Sequence, residues 1–148
     1  MKSKKVLIFI GVLIILTVLA AVVHLSTREQ APENSIRIIT DKKEYVVDIT
    51  ELDYETVSGI RVNGKGEEIP VEGDGIALRK LLSKYEIIEF SDVIIFSDDS
   101  YSAQLTKEEI EEENRVYLLM DEDSLRLVVF GDKNSKRSVS NVVQIEVE

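Results

Sequence analysis

Residues 93–114 read VIIFSDDSYSAQLTKEEIEEEN, and the order of patterns within this stretch decides the fold class. A continuous apolar run, Val93 to Phe96, gives way to Asp98-Asp99-Ser100; then Tyr101, Ala103 and Leu105 alternate with Ser102 and Gln104. Side chains on a strand point alternately to its two faces, so the alternating part predicts a half-covered strand, while the continuous run predicts a strand covered on both faces. Asp and Ser between them suit a turn, because their short side chains hydrogen-bond to the local backbone. Thr106 with Glu109 has the spacing of a capping box, in which each residue bonds the other's backbone N–H. It predicts a helix from Lys107 to Asn114. Strand, turn, strand and capped helix in sequence point to an α+β domain.

Reading toward the C-terminus, Val116 to Met120 and Leu125 to Phe130 are predicted strands around the turn Asp121-Glu122-Asp123-Ser124. A polar loop, Gly131 to Arg137, leads to a last strand, Val139 to Val147. Reading toward the N-terminus, Leu78, Leu81, Leu82 and Tyr85 fall at helical spacing and predict an amphipathic helix of about three turns. Gly73-Asp74-Gly75 interrupts the pattern before it, with Asp74 as the expected cap. Val57 to Val62 and Glu67 to Val71 flank Asn63-Gly64-Lys65-Gly66, a strong hairpin signal. Ile36 to Thr40 and Tyr45 to Ile49 form a second hairpin across Asp41-Lys42-Lys43-Glu44, with Tyr45, Val47 and Ile49 on one face. Thr50 to Glu55 is expected as a helical turn capped by Thr50. The whole is an α+β domain over residues 36–148, with a mixed or antiparallel sheet of eight or nine strands and two or three short helices.

Ahead of this domain, Val6 to Val23 is free of charge and broken only by Gly11 and Thr17. A helix of that length spans roughly 27 Å, about a bilayer's hydrocarbon thickness. Lys2, Lys4 and Lys5 precede the run and no acid occurs before Glu29, a bias that places the preceding end on the cytoplasmic side. Residues 1–5 are thus expected as a cytoplasmic basic segment, 6–25 as a single transmembrane anchor, 26–35 as a polar tether, and 36–148 as an extracytoplasmic domain. A cleaved signal peptide is the rival reading. Its apolar core normally runs to about 7–15 residues, and the sole passable cleavage pattern here, Val18-Leu19-Ala20, lies within the run.

The chain has no cysteine, which removes disulfides, thiolate metal sites and cysteine nucleophiles together. Setting aside the three N-terminal lysines leaves 15 basic against 28 acidic side chains, a formal charge near −13. Such a surface repels nucleic acid and anionic headgroups, and neither is expected as a partner of the domain.

His24, the only histidine, sits at the outer end of the apolar run, where its ring suits a membrane interface. Asp98-Asp99 and Asp121-Glu122-Asp123 are the two acidic clusters able to attract a hard cation. Calcium needs about six to eight oxygens on an enclosing loop, and neither cluster has the spaced Asp-x-Asp-x-Asp-Gly pattern. Turn formation accounts for both. Glu108, Glu109, Glu111, Glu112 and Glu113 are expected to wrap around a helix as a solvated face. Gly64-Lys65-Gly66 and Gly73-Asp74-Gly75 lack the spacing of a phosphate loop, and no serine occupies a Gly-x-Ser-x-Gly elbow. No catalytic, cofactor-binding or metal residue is singled out.

Four segments occur in a suggestive order. Gly75 to Leu82 is similar to a Gly-Val-x-Leu-x-x-Leu-Leu helix, and Val93 to Leu105 to a strand-turn-strand unit. Leu125 to Asp132 is similar to a Leu-Arg-Leu-Val-x-Pro-Gly strand, and Ser138 to Val147 to a closing strand. Together, over about half the chain, they resemble the oxidoreductase molybdopterin-binding domain of the sulfite oxidase family in its small stand-alone bacterial form. The resemblance implies the fold. It also implies a cysteine thiolate on molybdenum and basic side chains on the pterin phosphate. With no cysteine, a short region upstream of Gly73 and an acidic surface, no ligand residue carries over and no cofactor is expected. The resulting expectation is a membrane-anchored binding or interaction module on a cofactor-less form of that fold. Its partner would be a protein that family analogy places in a surface redox assembly. The alternative is a redox enzyme subunit of the molybdopterin-dependent type, and a third class is calcium-dependent adhesion.

Overall fold

The computed structural model describes residues 10–20 and 32–148, which fall in two compact units, 1–30 and 31–148. In the first, residues 10–20 form a helix (α1) whose large apolar side chains are exposed, and Thr17 Oγ1 donates to the Leu13 carbonyl one turn back. Among the described residues no helix is long and apolar enough to cross a membrane. The expected anchor over 6–25 extends beyond α1 at both ends, outside the described residues, as do residues 1–5, 26–31 and His24.

In the second unit, β1 (Ser35–Ile39), β2 (Glu44–Asp48), β5 (Asp92–Ser97), β6 (Ser102–Thr106) and β9 (Val142–Val147) form one sheet in the order β2-β1-β9-β5-β6. It is mixed: β1 runs parallel to β9, with Ile38 beside Ile145, and the other pairs are antiparallel. A second, antiparallel sheet has the order β3-β4-β7-β8, built from β3 (Glu55–Val62), β4 (Glu68–Ala77), β7 (Val116–Asp121) and β8 (Ser124–Val129). Two short helices, α2 (Leu78–Lys84) and α3 (Lys107–Glu111), and a 3-10 turn at Ile49–Glu51 complete it. The α+β class holds, with two sheets in place of one.

Alternation explains the layering. Ile36, Ile38, Ile95 and Ile145 point from the mixed sheet into one buried cluster. Leu118, Leu125 and Leu127 enter it from the antiparallel sheet, and Leu78, Leu81 and Leu82 from α2. Those three leucines are at most 1% exposed, as their helical spacing requires. On the other face of the antiparallel sheet Val57, Ala77, Tyr117, Leu119 and Val128 form a smaller cluster. Phe130 closes it, tilted against Tyr117 at 5.8 Å and lying over Gly59, where a Cβ would come within 2.6 Å of the ring.

Several expectations need correction. β7, not β5, is the strand covered on both faces: Val116 to Leu119 are all buried, whereas in β5 Val93, Ile95 and Ser97 are buried and Ile94 and Phe96 only half-buried. Gly73-Asp74-Gly75 does not break the chain; β4 continues through it, and α2 starts from Ala77 without a side-chain cap, so Asp74 caps nothing. Gly75 is required by space, since a Cβ there would collide with Leu119 Cδ2. α2 has about two turns, and α3 ends at Glu111 instead of Asn114. The 3-10 turn is capped by Asp48, which accepts from Thr50 N at 2.8 Å, so Thr50 is the donor and not the cap. The last strand starts at Val142, and Val139 instead bridges to Leu127. Both hairpin turns and the capping box form where expected. Asn63 accepts from Lys65 N and Glu67 N, while Gly66 takes φ +82°.

Candidate functional site

The acidic turns are accounted for locally. Asp99 accepts from the Ser97 hydroxyl and from Tyr101 N, which lowers its pKa and ties the β5–β6 turn. Asp121 pairs with Arg126 at 2.7 Å, and Glu122 takes φ +55° in the two-residue link between β7 and β8. Among the described residues no three acids or histidines gather as a cation would require.

The glutamates of α3 are less uniform than a solvated face. Glu109, 19% exposed at its side chain, accepts from Arg137 at 2.8 Å and from Arg115 at 3.1 Å, while also completing the capping box with Thr106. Burial raises its pKa. The backbone hydrogen bond from Thr106 and the two guanidinium groups outweigh that, and the net shift is downward. Arg137 is raised, first by Asp132 and then by Glu109. This network ties the loop of residues 131–137 to α3 and to Arg115, the residue before β7, which is structural work.

A surface with the shape of a site lies where α2 ends. Tyr85 closes the helix and Glu86 takes φ +58°; Glu86 N then bonds to Ser83 O and Ile87 N to Leu82 O, the paired bonds of a Schellman motif. The chain reverses and holds residues 87–90 as a ridge. Lys107 fixes it by donating to Ile88 O at 3.0 Å, with its ammonium 5.3 Å from the Phe90 ring centre. Ser91 N bonds to Glu148 O at 2.7 Å, anchoring the ridge to the end of β9. At its crest Ile88 is 64% exposed.

Open clefts flank the ridge and share Ile87 and Ile88. One, of about 530 Å³, lies toward Arg79, Leu82, Phe90 and Ile110. The other, of about 640 Å³, lies toward Lys42, Lys43, Tyr45, Tyr85 and Val147, with the two tyrosine rings tilted together at 5.0 Å. Apolar floors with charged rims suit side chains of a docked protein segment: buried contact supplies affinity and the rim supplies orientation. The hydroxyls lining the clefts are Thr40, Ser83 and the two tyrosines. The sequence marks none of these as site residues: Tyr45, Leu82 and Tyr85 read as members of apolar faces, and the clefts are made by segments distant in the chain.

A molybdenum–pterin group of the kind the family resemblance implies does not fit these residues: the chain offers no thiolate donor. The segments that carry the resemblance lie in the core, through Ile76, Leu78, Leu81, Val93, Leu105, Leu125 and Leu127. No protein-family model matches the chain, and no curated protein sequence matches it.

Proposed function

We propose that this chain is a membrane-anchored extracytoplasmic interaction module, built on a molybdopterin-binding-like fold without the cofactor, that docks a surface protein partner on the ridge at Ile88. The exposed isoleucine held rigidly between two apolar clefts carries this reading. A fixed apolar side chain at the centre of a rimmed surface is the arrangement in which a few residues supply most of the binding energy. The apolar run before the domain and its basic flank support the anchor. The mixed rim, with Arg79, Lys42 and Lys43 beside Glu86, Glu89 and Glu111, favours a partner that presents complementary charges of both signs around an apolar patch.

Because the chain has no cysteine, Ile88→Cys can carry a photo-crosslinker as its single thiol in living cells. A discrete crosslinked partner is expected from this position and not from Asp123→Cys on the exposed β7–β8 turn. Equal labelling from both positions would reject the site. Metal analysis of the purified full chain separates the alternative, since stoichiometric molybdenum would make it a redox enzyme subunit.

A further inference from the structure

The outer strands of a sheet leave a row of unpaired N–H and C=O groups that another strand can join, and folds cover, shorten or charge such rows. This unit treats its rows unequally. The free side of β8 is met by Val139, whose carbonyl accepts from Leu127 N at 2.8 Å. The row on β6 ends at Thr106, whose N–H is taken by Glu109. β2 is five residues long and ends in the carboxylates Glu44 and Asp48. β4 is free on one side beyond Gly75, where its pairing with β7 stops, and there it carries Pro70.

β3 is less protected: among the described residues no isolated bridge reaches it, its charges Glu55 and Arg61 are opposite in sign, and the loop of residues 132–138 lies beside its end at Arg61 and Val62. Asn63 N bonds to Glu67 O at 2.9 Å, and bonded pairs alternate along an antiparallel ladder. By the register, Arg61, Gly59, Val57 and Glu55 therefore bond to β4, while Val62, Ile60, Ser58 and Thr56 turn their backbone groups outward. The same alternation makes Pro70, opposite Ile60, turn its nitrogen away from β3, where it blocks the other side of the hairpin. β3 is eight residues long, has neither proline nor lysine, and leaves Ile60 56% exposed.

We infer that β3 pairs with β3 of a second copy of this chain, antiparallel about a two-fold axis at Ser58, joining two four-stranded sheets into one of eight strands. The strand is self-complementary in that register. Outward-facing Thr56 meets the outward-facing Ile60 of the other copy, Ser58 meets its equivalent, and Glu55 meets Arg61 in both directions. Among the described arginines Arg61 alone has no carboxylate within ion-pair distance, whereas Arg37, Arg79, Arg115, Arg126 and Arg137 each have one. Glu55, paired with Lys80, keeps a half-exposed side chain able to accept a second cation. A two-fold contact uses the edge of both copies at once, so the assembly closes at a dimer.

The test uses the full-length chain in the membranes of expressing cells. In Ser58→Cys the single thiol faces its equivalent across a bonded pair, at a Cα separation of about 5.5 Å that a disulfide tolerates. Oxidation should give a disulfide dimer from Ser58→Cys and not from Gln104→Cys on β6. Adding Arg61→Glu should reduce the dimer several-fold, and adding Glu55→Arg to that variant should restore it, which a folding defect would not allow. Crosslinking no better than Gln104→Cys, attachment to a different protein, or failure of the charge swap to restore pairing would each overturn the proposal.

Discussion

Glu109 serves three neighbours at once: it caps α3 through Thr106, and it is the shared acceptor of Arg115 and Arg137. Its removal is therefore more costly than loss of an exposed ion pair. Arg115 Nε is already buried without a partner, and the guanidinium would lose one of its two carboxylates. Glu109→Gln should lower stability by about 1.5–3 kcal/mol at neutral pH, the range for hydrogen bonds to charged groups. The pH dependence has a definite sign. With its folded pKa below the usual value of about 4.3, the carboxylate contributes stability above that value, and the contribution is lost as pH falls through the folded pKa. Urea unfolding of both proteins at several pH values checks this: the gap should be full at pH 7 and should shrink below about pH 4. A gap that is constant down to pH 3 would show that the charge of Glu109 does not contribute. The capping box was legible in the sequence because Thr106 and Glu109 are three residues apart. The arginines were not, since Arg137 lies 28 positions away and nothing local marks it as the partner.

Among the elements, what could be read was periodicity, and what could not was contact. The leucines of α2 and the alternation of β6 gave the correct buried faces, because each pattern follows from one element's geometry. Gly73 and Gly75 read as a break, since glycine favours irregular backbone; in the fold Gly75 is an extended residue pressed by Leu119. Likewise, the continuous apolar run makes β5 read as the doubly covered strand, whereas in the fold Val57, Val71 and Phe130 pack on the outer side chains of β7, Tyr117 and Leu119. The ridge at Ile88 depends on a Schellman turn whose left-handed position is occupied by Glu86, not by the usual glycine, so no sequence signal announced it. A left-handed non-glycine residue costs about 1–2 kcal/mol, while glycine forfeits part of that through greater freedom when unfolded. Glu86→Gly should therefore raise stability by about 0.5–1 kcal/mol with the ridge unchanged. Urea unfolding measures the first and crosslinking from Ile88→Cys the second. A less stable protein would mean that the Glu86 side chain holds the turn by a contact worth more than the strain it imposes.

At the scale of the whole molecule the charges are segregated: three lysines and a run of 18 uncharged residues come first, and a part with formal charge near −13 follows. This asymmetry is the physical content of the proposed topology. A basic flank resists translocation, while an acidic domain crosses without that bias and then stays away from anionic headgroups. The two-unit division near residue 30 agrees with a domain that closes its own core, because the buried clusters draw on residues from Ile36 to Val147. A retained anchor and a cleaved leader make opposite forecasts for the same protein. With the anchor retained, the full-length chain stays with membranes through an alkaline carbonate wash. External protease then releases a fragment beginning between residues 26 and 35, and the mature chain keeps Met1 to Lys5. Replacing Leu13 and Leu16 together by lysine should release it, since each charge near the middle of a spanning helix opposes insertion by about 2.5–3.5 kcal/mol. Fractionation with N-terminal sequencing decides between them: a mature chain starting at Ala21 or later would establish cleavage, and the Ile88 and β3 surfaces would then act on a released domain.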